Sequence, residues 1–371
     1  MSDLKLLEKL SLDLCSLVIF HGLLKDGVIK RLAELIRADG SAYERVGRYA
    51  SFANELFREG DDLAAYVLER VLEDDNIYVQ RRARGEAVSG TLAEALKHEL
   101  SVLERLSRLT PFELIKHLGY DGFLPEWKNS RFDFYAEYTK RMNTLSVHGY
   151  GIFSKHRVFT VKQGQIVAVK WPDPVTLEDL KGYGRQRKAV VDNTLALLKG
   201  RPAANVLLYG DAGTGKSSTV KAVANEFAHQ GLRLVEIAKK QYGDLLSVAQ
   251  ALGSQPLKFI LFIDDLSFAG ENDDFYALKA MLEGTVFAKA HNVAVYATSN
   301  RRNLVKESFS DREGDDVHRS ETIQELCSLS SRFGLSVGFF RPSKKQYLEI
   351  VHELKQQYGI LMDDAELELK A

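Results

Sequence analysis

The segment from Gly210 to Ser217 combines residue types that can bind a phosphate group. It reads Gly-Asp-Ala-Gly-Thr-Gly-Lys-Ser and follows the apolar run 206–209. Glycines allow backbone N–H groups to surround an anion, and the positive end of a following helix points at the same anion. In such a loop Lys216 reaches the β- and γ-phosphates of a nucleotide, and Ser217 binds Mg²⁺. The segment therefore predicts a site for ATP and Mg²⁺, in preference to a glycine-rich turn without a ligand. The predicted nucleotide contacts are Gly210, Asp211, Ala212, Gly213, Thr214, Gly215, Lys216, Ser217 and Ser218.

Two consecutive acids, Asp264 and Asp265, follow the apolar run 259–263. An apolar run that ends in two acids is usually only the exit from a strand. When the run follows a phosphate-binding loop in the sequence, the two acids become candidate site residues. The reason is that open α/β sheets bind their ligands beyond the carboxyl ends of the strands. We expect Asp264 to hold the magnesium, often through water, and Asp265 to polarise the attacking water.

Two more polar residues stand beside predicted strands. Asn300 follows the apolar run 293–297, where its amide could lie between the γ-phosphate and the water. The alternative is a turn-forming asparagine that caps the next helix. Arg332 precedes the last strand. It is either a structural ion-pair arginine or an arginine finger that stabilises transition-state charge on the nucleotide of a neighbouring subunit. Arg301 and Arg302 are further candidate cations.

The elements that must position these residues alternate between strand and helix. Apolar runs at 206–209, 232–237, 259–263, 293–297 and 337–340 are separated by amphipathic stretches. This alternation predicts an α/β fold with five parallel strands covered by helices. Residues 1–145 have helical periodicity instead, with a proline-containing helix start at Thr110 to Glu113. A hairpin around Gln163-Gly164 follows, and Pro172 and Pro174 end it.

We therefore divide the chain into four parts: a helical N-terminal domain (1–145), an aromatic-rich bridge with the β-hairpin (146–174), an ATPase core (175–341) and a partial helical lid (342–371). The stretch 120–159 contains ten aromatic residues interleaved with lysines and arginines. The first interpretation is the core of a small module. The alternative is a nucleic-acid or partner surface at 128–157, because aromatic rings stack on bases and cations hold phosphates.

Composition excludes several classes of protein. The 371 residues carry 50 lysines and arginines against 51 acids, so the chain is not polybasic. The two cysteines suggest neither a four-cysteine zinc site nor a disulfide scaffold. No apolar run is long enough to span a bilayer, and the N-terminus has the spacing of an amphipathic helix rather than a signal peptide. A membrane partner is not expected, and the expected location is the cytoplasm.

The order of these motifs resembles that of AAA+ ATPases. The loop, the paired acids, Asn300 and Arg332 correspond in order to Walker A, Walker B, sensor 1 and the box VII arginine. The Asp-Asp pair resembles the bacterial replication-initiator and helicase-loader branch. Residues 145–355 are similar to an uncharacterised bacterial AAA+ family, domain of unknown function 815, at 179–183, 205–210, 264–268, 278–284, 296–302 and 329–334. The resemblance implies the AAA+ strand order and places Leu180 and Tyr183 near the adenine.

The chain departs from the AAA+ pattern in two places. The lid of this family normally has three or four helices and a sensor 2 arginine, whereas here one helix from Ser343 and a short segment from Asp363 follow the last strand, and no arginine follows Arg341. Ser331 stands where the pattern often has an acid before the finger arginine. The lid is therefore expected to be short and incomplete.

These observations predict an ATPase that couples hydrolysis to movement of its helical domain and of an unidentified protein client. The resemblance implies a homo-oligomer, a ring or a filament, in which Arg332 acts in trans. The alternative is an ATP-gated switch or loader with little turnover, acting on a protein or a nucleic acid.

Overall fold

The computed structural model describes residues 3–37, 39–266, 273–283, 290–300 and 329–371. The chain divides into two compact units, Met1–Lys155 and His156–Ala371. Arg301 and Arg302 lie outside the described residues. Within the described parts, no helix has both the length and the apolar character needed to cross a membrane.

The first unit is built from helices. They are α1 (Asp3–Cys15), α2 (Gly27–Leu35), α3 (Ala42–Glu59), α4 (Leu63–Glu73), α5 (Ile77–Ala83), α6 (Gly90–Ser107), α7 (Pro111–Ile115), α8 (Phe134–Asn143), α9 (Leu145–His148) and α10 (Ile152–Lys155), with a 3₁₀ turn at His21–Lys25. At the start of α7, Thr110 and Glu113 form the reciprocal capping pair expected from the sequence. Val28, Leu32, Leu35 and Ile36, which recur at helical spacing, are buried in the core of this unit.

The aromatic-rich stretch contributes mainly to cores. Six of its ten aromatic side chains are buried: Trp127, Phe134, Tyr138, Tyr150, Phe153 and Phe159. Two of its lysines form ion pairs, Lys128 with Asp61 at 2.7 Å and Lys155 with Glu73 at 2.9 Å. These contacts agree with the core interpretation of the stretch. Binding of nucleic acid through 128–157 stays a prediction, and most of the rings it would use for stacking are enclosed.

Glu99 on α6 is a buried carboxylate with main-chain partners. Its two oxygens accept hydrogen bonds from the N–H groups of Val18, Ile19 and Phe20 at 2.9 to 3.1 Å. The side chain is 3% exposed, so these N–H groups are the donors that compensate its loss of water. One side chain therefore anchors the segment between α1 and the first 3₁₀ turn.

We expect Glu99→Gln to destabilise the first unit by about 3 kcal/mol, because charge-assisted bonds are lost and an amide NH₂ group faces N–H donors. Urea unfolding followed by circular dichroism measures this change. Glu94→Gln, on the exposed side of the same helix, is the matched control and should shift the midpoint little. Equal midpoints for the two variants would contradict the anchoring role.

The second unit contains one seven-stranded sheet with the order β2-β1-β4-β5-β6-β3-β7. The strands are β1 (Val158–Lys162), β2 (Gln165–Ala168), β3 (Val206–Gly210), β4 (Leu232–Glu236), β5 (Lys258–Ile263), β6 (Val293–Ser299) and β7 (Leu335–Phe339). All neighbouring strands are parallel except β1 and β2. The helices of this unit are α11 (Gly184–Leu198), α12 (Lys216–Glu226), α13 (Leu245–Gly253), α14 (Asp273–Glu283), α15 (Lys344–Tyr358) and α16 (Asp364–Lys370), with 3₁₀ turns at Ala228–Gln230 and Lys239–Asp244.

The sheet is larger than the five strands predicted from the sequence. The five expected parallel strands are present as β3 to β7, and the hairpin adds two. Its first strand pairs in parallel with β4, with Val158 opposite Leu234. The turn between β1 and β2 has positive φ at Gln163 (51°) and Gly164 (73°), which suits a tight hairpin. The predicted bridge at 146–174 is thus divided, because 146–155 lies in the helical unit and the hairpin lies in the sheet.

Candidate active site

The strand order brings the candidate residues to one edge of the sheet. β3 pairs with β6, and β6 pairs with β5, all in parallel. Their carboxyl ends therefore lie side by side. The predicted phosphate-binding loop, residues 210–217, follows β3, the two acids follow β5 and Asn300 follows β6. This is the edge at which open α/β sheets bind ligands.

The loop backbone has the shape needed to surround an anion. Gly215 has φ of 84° and directly precedes α12, whose first turn receives no side-chain capping bond. The N–H groups of that turn can therefore donate to a ligand. Gly210, at the end of β3, has φ of 129°, and a Cβ atom there would lie 2.0 Å from the carbonyl oxygen of Phe339. The first glycine of the loop is thus required by the neighbouring strand β7.

Lys216 is buried and enclosed by oxygen atoms. Its Nζ donates to the carbonyl oxygens of Gly210 (3.0 Å) and Asp211 (2.7 Å) and to Oδ1 of Asn300 (3.2 Å). Burial lowers the pKa of Lys216, while the charge of Asp211 acts in the opposite direction. A phosphate group that binds here must compete for these contacts.

A second cluster joins Ser217 to the end of β5. The Ser217 hydroxyl donates to Oδ1 of Asp264 at 2.6 Å, and the Thr298 hydroxyl donates to the same oxygen at 2.5 Å. Thr298 Oγ1 also accepts from the N–H of Asp265 at 2.9 Å. A hydroxyl beside a carboxylate is the pair of hard oxygen ligands that Mg²⁺ prefers, so these residues fit the ion. The sequence reasoning missed Thr298, whose only signal is a polar residue two positions before Asn300.

Asp265 has an unusual backbone. Its φ is 52°, in the left-handed region that residues other than glycine seldom adopt, and its side chain is exposed. Oδ1 of Asp265 accepts a hydrogen bond from Nδ2 of Asn300 at 3.1 Å. Asn300 therefore bridges Lys216 and Asp265 with the two ends of its amide. The helix-cap alternative for Asn300 concerns residues beyond those described.

The two residues predicted to lie near an adenine precede α11. Leu180 and Tyr183 are both half-buried. The Tyr183 hydroxyl donates to the carbonyl oxygen of Phe340 at 2.6 Å, and its ring centroid lies 5.3 Å from that of Phe339. Burial and the nearby charge of Asp211 raise the pKa of Tyr183. The segment that contains both residues is therefore tied to the end of β7, beside the loop.

Arg332 is not brought to this edge. In the parallel pairing of β3 and β7, Val206 is opposite Leu335 and Gly210 is opposite Phe339. Arg332 precedes β7 and so lies at the edge where β3 begins, whereas the loop follows the end of β3. A strand of five residues spans about 16 Å. Within one chain, Arg332 and the phosphate-binding loop are at opposite ends of these strands.

Residues 154–371, more than half of the chain, match the family described as protein of unknown function DUF815. The chain belongs to this family. The match confirms the resemblance to domain of unknown function 815 that the motifs suggested.

Two curated proteins from Methanococcus species are similar to this chain. The replication factor C large subunit of Methanococcus vannielii is 26% identical over 175 residues, which are 44% of this chain and 35% of that protein. The same subunit of Methanococcus maripaludis is 25% identical over 143 residues, 36% of this chain and 29% of that protein. The chain thus spans about a third of the length of the relatives it matches.

Solved structures that resemble this family member are more distant. A Thermotoga maritima RuvB, described as a Holliday junction branch migration motor, has a TM-score of 0.36 and 18% identity, covering 53% of this chain and 57% of its own. A DNA replication initiation factor has a TM-score of 0.37 and 18% identity, covering 54% of this chain and 60% of its own.

Proposed function

We propose that this protein binds ATP together with Mg²⁺ and hydrolyses it. One observation carries the proposal: the ends of three adjacent parallel strands bring together a buried lysine, a hydroxyl–carboxylate pair and an acid–amide pair. These groups suit the phosphates, the metal ion and the attacking water, respectively. Catalysis would depend on positioning and on neutralisation of charge.

Each residue has one task in this mechanism. Lys216 exchanges its loop carbonyl contacts for the β- and γ-phosphates, and the loop N–H groups bind the same anion. Ser217 and Asp264 would hold Mg²⁺, which neutralises charge on the phosphate oxygens. Asp265 accepts a hydrogen bond from the attacking water and polarises it. Asn300 orients that water beside the γ-phosphate.

Assembly would complete the site. Because Arg332 lies at the far end of the strands from its own loop, we infer that it acts on the nucleotide of a neighbouring copy in a homo-oligomeric ring or filament. Hydrolysis would then move the helical domain and an unidentified protein client. Leu180 and Tyr183 would contact the base.

Turnover is expected to rise with protein concentration, because an arginine supplied in trans requires assembly. We expect Arg332→Ala to bind ATP and to lose about 100-fold or more of its turnover. Mixing it with Lys216→Ala subunits should restore part of the activity, since each variant supplies what the other lacks. Phosphate release measured over a range of concentrations and mixing ratios is the test. A flat concentration profile without rescue would leave Arg332 a structural residue.

A second candidate is an ATP-gated switch or loader with little turnover. The paired acids Asp264 and Asp265 at the end of β5, which resemble those of the replication-initiator and helicase-loader branch, favour this candidate. Tight retention of ATP with negligible phosphate release would support it. The names of the Methanococcus relatives also motivate a nucleic-acid client, for which binding to single-stranded DNA should fall steeply as salt rises. Absence of binding at low salt would exclude that client.

A further inference from the structure

We propose that Asp211 is a positioning residue that ties helix α15 to the phosphate-binding loop, so that nucleotide in the loop steadies this helix. The proposal rests on the ATP-binding function above and adds a residue through which the loop acts on α15.

Asp211 holds the end of β7 with two different groups. Its N–H donates to the carbonyl oxygen of Phe339 at 2.8 Å, which extends the β3–β7 pairing one residue into the loop. Its carboxylate oxygen Oδ2 accepts the N–H of Arg341 at 2.7 Å. A hydrogen bond to a charged acceptor is stronger than one between neutral groups. One loop residue therefore fixes two positions of the chain that leaves β7.

The connection from Arg341 to α15 is short and stiff. Pro342 is the only intervening residue before Ser343, and its ring fixes φ. Ser343 then caps α15, with its hydroxyl accepting from the N–H of Gln346 and the Gln346 side chain accepting from the N–H of Ser343. A displacement of Arg341 would therefore displace the start of α15 by a similar amount.

α15 lies against the rest of its unit through side chains that are half-buried or exposed, so a bond at its base matters. No side chain of this helix is fully buried. Ile350 lies against Gly182, where a Cβ atom would be 2.6 Å from Ile350 Cδ1, and Gln357 donates to Asp179 at 3.5 Å. These contacts place α15 on the segment that contains Leu180 and Tyr183.

Asp211 also contacts the lysine that phosphate would engage. Its carbonyl oxygen accepts from Lys216 Nζ at 2.7 Å and from the Thr214 hydroxyl at 2.8 Å. A phosphate that draws the ammonium group away removes one of these two donors. The hydrogen bonds of Asp211 therefore change when phosphate occupies the loop, and the same residue holds the chain that leads to α15.

The direct test is limited trypsin digestion at Lys344, Lys345 and Lys355 in α15, with and without saturating ATPγS. We expect ATPγS to slow cleavage of the wild-type protein by about tenfold. Asp211→Ala should lose this protection when it is compared at an ATPγS concentration that saturates the variant itself. Asp211→Asn should keep most of it, because an amide oxygen accepts the same N–H. Asp192→Ala, in an exposed ion pair on α11, is the control and should behave as wild type.

Several outcomes would overturn the proposal. Equal protection of Asp211→Ala and wild type would show that the bond does not control α15. Equal loss of protection in Asp211→Ala and Asp211→Asn would show that the charge of Asp211, and not its hydrogen bond to Arg341, controls α15. In the wild-type protein, hydrogen exchange at the Arg341 N–H should slow with ATPγS, and an unchanged rate would refute the proposal even if Asp211→Ala did not fold. Failure of the wild-type protein to bind ATPγS would instead refute the ATP-binding function itself.

Discussion

Replacement of Lys216 by alanine is expected to abolish ATP binding, with an affinity loss of about 100-fold or more. The lysine is the buried cation of the loop, and its Nζ lies within 3.2 Å of three oxygen atoms at the point where the phosphates would bind. Removal of a buried charged partner typically costs about 2–5 kcal/mol, which corresponds to this loss. Titration with a fluorescent ATP analogue in the presence of Mg²⁺ measures it directly.

A lysine on the same helix provides the control for this variant. Lys221 lies on α12 with its side chain 4.0 Å from Asp173 and outside the loop. Lys221→Ala should bind the analogue as the wild-type protein does. Thermal melting of both variants separates loss of binding from loss of folding. ATP binding by a folded Lys216→Ala variant at wild-type affinity would refute the nucleotide assignment.

Asp265→Asn is expected to keep ATP binding and to lose about 100-fold or more of the turnover, the typical contribution of a catalytic base. Asparagine adopts the left-handed conformation as readily as aspartate, so φ of 52° can be kept. Its amide oxygen can still accept from Nδ2 of Asn300. The variant therefore preserves the geometry and removes the charge that polarises water.

Comparison with the adjacent acid makes this test specific. Asp264→Asn alters the oxygen that accepts from Ser217 and Thr298. It should weaken the Mg²⁺ dependence of ATP binding, whereas Asp265→Asn should leave that dependence unchanged. Single-turnover phosphate release with prebound ATP and Mg²⁺ distinguishes the two effects. Normal release from Asp265→Asn would assign the water to another residue.

The predictable parts of this site are formed by residues that are close together in the sequence or that directly follow a predicted strand. The loop from Gly210 to Ser217 is contiguous, and its residue types are unusual enough to identify it. Asp264, Asp265 and Asn300 were placed correctly at strand ends, because parallel strands present their carboxyl ends at one edge. Their proposed roles in catalysis stay predictions.

The parts that were not predictable depend on contacts between distant residues. Thr298 looked like an ordinary strand residue, and its bond to Asp264 depends on β5 lying beside β6. The contact between Asp211 and Arg341 joins positions 130 residues apart. The hairpin belongs to the sheet because β1 pairs with β4. Nothing in the sequence indicated this pairing, since the two prolines after the hairpin suggested a boundary there. Composition also could not show which aromatic rings of 120–159 face inward.

A substitution of Gly210 would change the packing of the sheet, and its effect could be mistaken for the loss of a ligand contact. Because a Cβ atom at this position would lie 2.0 Å from the carbonyl oxygen of Phe339, Gly210→Ala would push β7 away from β3. Such a variant would lose nucleotide through damage to the sheet, although the glycine belongs to the phosphate-binding sequence. Loss-of-function substitutions at Gly210 therefore report on protein stability, and those at Lys216 report on ligand chemistry. Genetic studies that inactivate the loop should choose the lysine.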